Sequence, residues 1–96
     1  MNSTIWKFEL GYRRGVHIVT MPKGAELLSV HVQHGTPCLW ALVDPSQTTE
    51  DRHIAVELTG GRHAPGRYLG TVLLEDETHV AHYFEHRADA EEEGDR

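Results

Sequence analysis

The segment from Leu27 to Val43 constrains the fold most, because it has the pattern of two β-strands joined by the two-residue turn His34-Gly35. A two-residue hairpin turn needs a positive φ among its central residues. Glycine adopts that conformation freely, and His adopts it more readily than most residues do. The segment therefore predicts a β-hairpin, and with it an antiparallel sheet.

Counting outward from the turn assigns every hairpin residue to one of two faces. The core face is predicted to pair Val30 with Leu39 and Leu28 with Ala41, with Val32 and Val43 on the same side. The reverse face is predicted to pair Leu27 with Leu42, Ser29 with Trp40, and His31 with Cys38. Because both faces lean apolar, the hairpin is either central and covered by its own chain, or its reverse face meets a partner or ligand.

Alternating apolar and polar residues predict further strands on either side of the hairpin. These strands are Thr4–Leu10, Val16–Met21, Arg52–Leu58, Tyr68–Leu74 and Thr78–Glu85. The loop before Arg52 is predicted to cover residues 44–49. The expected fold class is all-β, with about seven short antiparallel strands in a small sandwich or barrel. Residues 1–87 form the single β domain, and residues 88–96 are expected to be an acidic disordered tail.

The composition excludes several classes of partner and location. The net charge is −6, but without residues 88–96 there are eight basic and ten acidic side chains, so duplex nucleic acid is not an expected partner. No apolar run approaches the ~18 residues of a membrane span, and no signal peptide is visible. The single cysteine, Cys38, cannot form an internal disulfide, so the expected location is the cytoplasm.

Catalytic and metal chemistry find weak support in the sequence. There are eight histidines, yet none are spaced His-x-His, and no His-Glu-x-x-His or Cys-x-x-Cys motif is present. We expect no bound metal and no cofactor. Cys38 with His31 as a base is the remaining catalytic arrangement, but Cys38 follows a proline in a hairpin, where nothing activates a thiol. The chain is expected not to be an enzyme.

Two groups of residues are candidates for binding a ligand. The glycine-containing loop 59–67 offers backbone N–H groups together with Arg62, His63 and Arg67, which suits a phosphate or carboxylate. The turn that contains Arg13 and Arg14 is a second candidate for the same chemistry. On the hairpin's reverse face, Trp40 lies with Ser29 and His31, where an aromatic ring can stack against a flat ligand or an oligomer partner.

Several blocks carry a resemblance to a known family: Met21-Pro22-Lys23-Gly24-Ala25, Leu28-Ser29-Val30, Pro37 to Pro45, Gly60-Gly61 and Tyr68-Leu69-Gly70-Thr71. Together they resemble a family of small uncharacterised bacteriophage and bacterial proteins known as a domain of unknown function. Leu39-Trp40-Ala41-Leu42-Val43-Asp44 is the most specific block. The resemblance covers most of residues 4–86 and implies an all-β domain with a phage-type accessory role, in the host cell cytoplasm. It supplies no catalytic residues.

The function expected from these observations is that of a non-enzymatic, homo-oligomeric binding protein for a small anionic ligand. By analogy with small phage sequestering proteins, that ligand is a nucleotide immune signal. The ligand-binding residues would be Ser29, His31, Trp40, Arg62, His63 and Arg67. The alternative is a protein-interaction or structural module without a small ligand, for which the Trp40 face is the contact surface.

Overall fold

A computed structural model describes residues 2–63, 65–74 and 79–86. These residues form seven strands: β1 (Thr4–Glu9), β2 (Gly15–Pro22), β3 (Glu26–Gln33), β4 (Thr36–Val43), β5 (Thr49–Leu58), β6 (Gly66–Leu73) and β7 (Val80–His86). The all-β prediction is confirmed. The described part of the chain has no helix long and apolar enough to cross a membrane.

The strands of the described residues form two antiparallel sheets. One has three strands in the order β1-β4-β3, and the other has four in the order β2-β5-β7-β6. The sheets do not close into a barrel. Buried side chains from both sheets form one hydrophobic cluster, as in a sandwich: Leu10, Met21, Ala25, Leu27, Val30, Leu39, Ala41, Val43, Ile54, Val56, Leu69, Val72, Ala81 and Tyr83. Removal of these side chains from water is the main stabilising contribution.

The hairpin turn is the one that the sequence predicts. His34 has a φ of 53° and Gly35 a φ of 78°, so both central residues are in the left-handed region that a primed two-residue turn requires. Gln33 pairs with Thr36 and Val30 with Leu39, which confirms the register near the turn.

The predicted register is wrong beyond Ser29, because a β-bulge interrupts β3. Leu27, not Leu28, pairs with Ala41, and the register shifts between Leu27 and Ser29. An extra residue in one strand reverses which face the following side chains occupy. Leu27 is therefore fully buried, whereas Leu28 is 40% exposed. Val32, also predicted in the core, is 42% exposed near the turn.

Most strand boundaries differ from their predictions by one or two residues, and the start of β5 differs most. Strand β5 begins at Thr49 rather than Arg52, because Thr49, Glu50 and Asp51 pair with the end of β2 although they are polar. The pairing partner, not an alternating pattern, makes these residues extended. Strand β7 begins at Val80, and the predicted acidic turn 75–77, Thr78 and the tail after residue 86 lie outside the described residues.

Close contact between the sheets depends on Gly70 of β6. A Cβ atom added at Gly70 would lie 2.9 Å from the backbone oxygen of Val30 in β3 and 3.4 Å from its Cβ. A side chain at this position would separate β6 from β3. Glycine lets two backbones approach closely where any other residue would hold them apart.

Tyr83 of β7 is fully buried, and its hydroxyl donates a 2.9 Å hydrogen bond to the backbone oxygen of Gly11. Burial raises the pKa of this phenol to about 12 from an ordinary value of 10.0. Since the folded-state pKa exceeds the unfolded one, the stabilisation by the neutral phenol is complete below pH 10 and is lost as the pH rises towards 12.

We expect Tyr83→Phe to lower the free energy of unfolding at pH 7 by about 1–3 kcal/mol, because the Gly11 oxygen loses its donor in a part-buried position. In a pH titration of tyrosinate absorbance, the substitution should also remove the absorbance change that occurs at the highest pH. Urea unfolding and the titration measure the two effects. If the variant keeps the absorbance change at the highest pH, another tyrosine is the phenol with the raised pKa.

Candidate functional site

The connection between β5 and β6 crosses the four-stranded sheet. Both strands pair antiparallel with β7, which lies between them, so β5 and β6 run in the same direction. Two parallel strands cannot be joined by a tight turn, and the chain must return along the length of the sheet before β6 begins. Residues 59–63 and 65 are the described part of this crossing.

The crossing segment lies over the outward face of the sheet, away from the core. His63 packs its ring edge-on against Phe84, with ring centroids 4.8 Å apart, and its Nδ1 is 2.8 Å from the Glu57 carboxylate. Tyr83 and Val56, which precede Phe84 and Glu57, belong to the core. Neighbouring residues of a strand point to opposite faces, so Phe84 and Glu57 point outward and His63 covers them.

A groove of about 410 Å³ separates the crossing segment from the start of β2. We call it the arginine groove, because Arg14 contributes to one wall and Arg62 to the other. Its described lining is Arg14, Gly15, Val16, Ala55, Val56, Glu57, Leu58, Gly61 and Arg62. The pairing of Val16 with Ala55 in the β2–β5 ladder holds the start of β2, and with it Arg14, beside β5.

The lining combines three chemistries suited to one small ligand. Arg14 and Arg62 are exposed guanidinium groups, which bind phosphate or carboxylate oxygens through paired N–H donors. Val16 and Ala55 form an apolar floor. Glu57 provides a carboxylate, largely covered and in contact with His63, that can accept hydrogen bonds from a ligand's amino or hydroxyl groups.

The three loop residues that the sequence predicts for binding do not share one place. Arg62 lines the arginine groove, and His63 lies beside it on Phe84. Arg67 lies at the start of β6, on the far side of β7 from β5, and does not line the groove. Arg14, from the turn that is the second candidate for anion binding, instead joins Arg62.

The predicted residues of the hairpin lie on the other sheet. Ser29 pairs with Trp40, and the rings of His31 and Trp40 are 6.1 Å apart. Lys7 flanks Trp40 on its other side in the β1–β4 ladder. Trp40 is half-buried, so polar neighbours in the same row shield part of its ring. The six predicted residues therefore lie in three places: Ser29, His31 and Trp40 on this sheet, Arg62 and His63 at or beside the groove, and Arg67 at the start of β6.

Val16, Ala55 and Glu57 are groove residues that sequence reasoning did not assign to a site. Alternation correctly put Ala55 and Glu57 on the face opposite Ile54 and Val56. Their position beside Arg14 depends on the pairing of β2 with β5, which joins segments about 40 positions apart through Val16 and Ala55. No local pattern gives that pairing.

His82, two threonines and Tyr68 form a hydrogen-bonded chain on the same outward face. The His82 ring bonds Thr59 through Nε2 at 2.8 Å and Thr71 through Nδ1 at 3.1 Å. Thr71 in turn contacts the Tyr68 hydroxyl at 2.6 Å. This chain ties the crossing segment to β6 and β7. Within the described ranges, no three His, Cys, Asp or Glu side chains are grouped closely enough to hold a metal ion.

An ion-pair cluster closes one end of the core. The Arg52 guanidinium contacts both carboxylate oxygens of Glu85, at 2.5 and 3.1 Å, and donates to the backbone oxygen of Ala25 at 2.8 Å. Its hydrogen bond with Glu85 raises the pKa of Arg52 further above its usual value. Because these side chains are mostly buried and engaged with each other, the cluster is not a ligand site, and removal of either partner would leave an unpaired charge.

Comparisons with known proteins give a family and nothing closer. The sequence model of a family described as a domain of unknown function (DUF7352) matches residues 1–94. No curated protein and no solved structure matches the chain.

Cys38 is expected to be inert. Its side chain is 1% exposed, and its thiol donates to the backbone oxygen of Thr36 at 3.4 Å. In a disulfide-exchange assay with an aromatic disulfide reagent, the thiol should react slowly in the native protein and rapidly in denaturant. Fast labelling of the native protein would contradict a buried, unreactive thiol and would support a catalytic role for Cys38 with His31.

Proposed function

The chain belongs to the DUF7352 family, and we propose that it is a non-enzymatic binding protein that holds a small anionic ligand in the arginine groove. The observation that carries the proposal is the meeting of Arg14 and Arg62 across an apolar floor. Two guanidinium groups on opposite walls place positive charge on both sides of one small ligand.

A nucleotide is the anion that fits this groove best. Its phosphate matches the two arginines, its base matches the floor formed by Val16 and Ala55, and its ribose or base donors match Glu57. An inorganic phosphate would use only the arginines and would be repelled by the Glu57 carboxylate. The groove therefore favours a nucleotide over a simple anion.

Binding is favoured over catalysis by the chemistry of the groove. Its described lining offers no serine, cysteine or histidine to act as a nucleophile beside a base. A protein that binds a nucleotide without converting it lowers the concentration of that nucleotide in solution. We extend the proposal to a phage-type accessory role in which the bound nucleotide is an immune signal.

The proposal predicts that titration calorimetry detects binding of a cyclic nucleotide such as cyclic AMP or cyclic GMP, and weaker or no binding of inorganic phosphate. Arg14→Ser and Arg62→Ser should each weaken nucleotide binding about tenfold or more, because a charge-assisted hydrogen bond contributes ~1.5–3 kcal/mol. Affinity should fall as ionic strength rises.

Arg67→Ser is the matched control, since it removes an exposed arginine that does not line the groove. Its affinity should equal that of the unmodified chain. If no nucleotide gives a heat of binding at any of several temperatures, nucleotides are excluded as the ligand. Equal losses in all three variants would indicate general charge attraction instead of a site.

A further inference from the structure

Strand β2 forms a free edge that has little of the usual protection against association, since its one proline, Pro22, is the last residue of the strand. It lies at the end of the four-stranded sheet, and among the described residues it pairs with β5 alone. Residues 16–21 include no charged side chain, and the β2–β5 register runs from Gly15 to Pro22 without a bulge. Edge strands of monomeric proteins usually carry charges, prolines or bulges that prevent pairing with another chain. By contrast, β1 at the edge of the other sheet carries Lys7 and Glu9.

The backbone groups along this edge can be assigned from one hydrogen bond. The Lys23 N–H donates to the Thr48 oxygen at 2.7 Å, in continuation of the β2–β5 register. Because N–H and C=O directions alternate along a strand, the backbone groups of Val16, Ile18 and Thr20 point away from β5. The next residue in this series is Pro22, which has no N–H to leave unpaired at the edge.

The side chains beside the edge are apolar and exposed. Val16 is 48% and Ile18 62% exposed, on the outward face of the sheet. A second strand added at this edge would lie beside both side chains and would pair the backbone groups of Val16, Ile18 and Thr20, which point away from β5. Addition of a strand to an exposed edge is a recurring mode of protein association.

The charges at the two ends of β2 favour a second copy of this chain as the pairing partner. Exposed Arg13 and Arg14 precede the strand. Its other end carries exposed Lys23 together with Glu50 and Asp51, which lie opposite Met21 and Thr20, so that end is net acidic. If a second copy pairs antiparallel, the arginines of each copy approach this net acidic end of the other. A parallel arrangement would bring the arginines of both copies together and would be repulsive.

We propose that two copies of this chain pair their β2 edges antiparallel about a two-fold axis near Ile18, which joins their four-stranded sheets into one continuous sheet. Such an interface is isologous, because the same surface is used by both copies. The pairing does not rest on the proposed nucleotide site. The arginine groove opens on the outward face beside the edge, so the dimer would place two such grooves on one side of the continuous sheet.

Light scattering and sedimentation of the full chain, without any nucleotide, test this pairing. The unmodified protein should have twice the 10.8 kDa mass of one chain at micromolar concentration and dissociate on dilution. Ile18→Lys should convert it to a monomer, because two lysines would face each other across the axis. Ile5→Lys is the matched control: Ile5 is 57% exposed on β1, the edge strand of the other sheet, and this variant should remain dimeric.

Two further variants keep the test decisive if Ile18→Lys fails to fold. Ile18→Cys should form a disulfide-linked dimer under mild oxidation, because directly opposed Cα atoms in an antiparallel pair are about 5.5 Å apart. The unmodified chain, whose Cys38 is buried, should not cross-link. Arg14→Asp should weaken the dimer, and Asp51→Arg added to it should restore the dimer.

Three results would overturn the proposal. The first is a monomer for the unmodified chain at all concentrations up to the millimolar range. The second is a dimer that Ile5→Lys disrupts and Ile18→Lys does not. The third is the absence of the Ile18→Cys cross-link in a protein that is dimeric. Since no nucleotide is present, none of these results depends on the outcome for the arginine groove.

Discussion

The position of β7 between β5 and β6 is the constraint on which the outward face of the larger sheet depends. It makes β5 and β6 parallel, so the chain between these strands has to return along the sheet instead of forming a hairpin. The contact of His63 with Phe84 holds this segment on the sheet. The arginine groove exists because the segment stops short of β2 and leaves a channel over β5.

The parts of the fold that depend on neighbouring residues could be predicted from the sequence. The His34-Gly35 turn and the pairing of Val30 with Leu39 follow from backbone preferences and from counting away from the turn. The bulge at Leu28 could not be predicted, because either Leu27 or Leu28 satisfies an apolar pattern. Packing against the second sheet decides between them, and Leu27 is the one that the core contains.

The candidate site was predictable only in pieces. Arg62 and Arg14 were identified as anion-binding residues in separate loops, but their meeting depends on strand order, which no local pattern contains. Trp40, His31 and Ser29 were correctly placed together on the hairpin's reverse face and lie on the other sheet from the groove. Arg67 follows the same loop as Arg62, yet β7 separates its strand from β5. Residues that are close in the chain were therefore predicted to share a site, although the order of the strands separates them.

The most direct test between the arginine groove and the Trp40 face is to find which residues the ligand contacts. Backbone amide resonances of the full chain should be followed by NMR during titration with a cyclic nucleotide. We expect the largest shifts at Gly15, Val16, Ala55 and Arg62, which border the groove. Largest shifts at Ser29, His31 and Trp40, with the groove amides unchanged, would contradict the account.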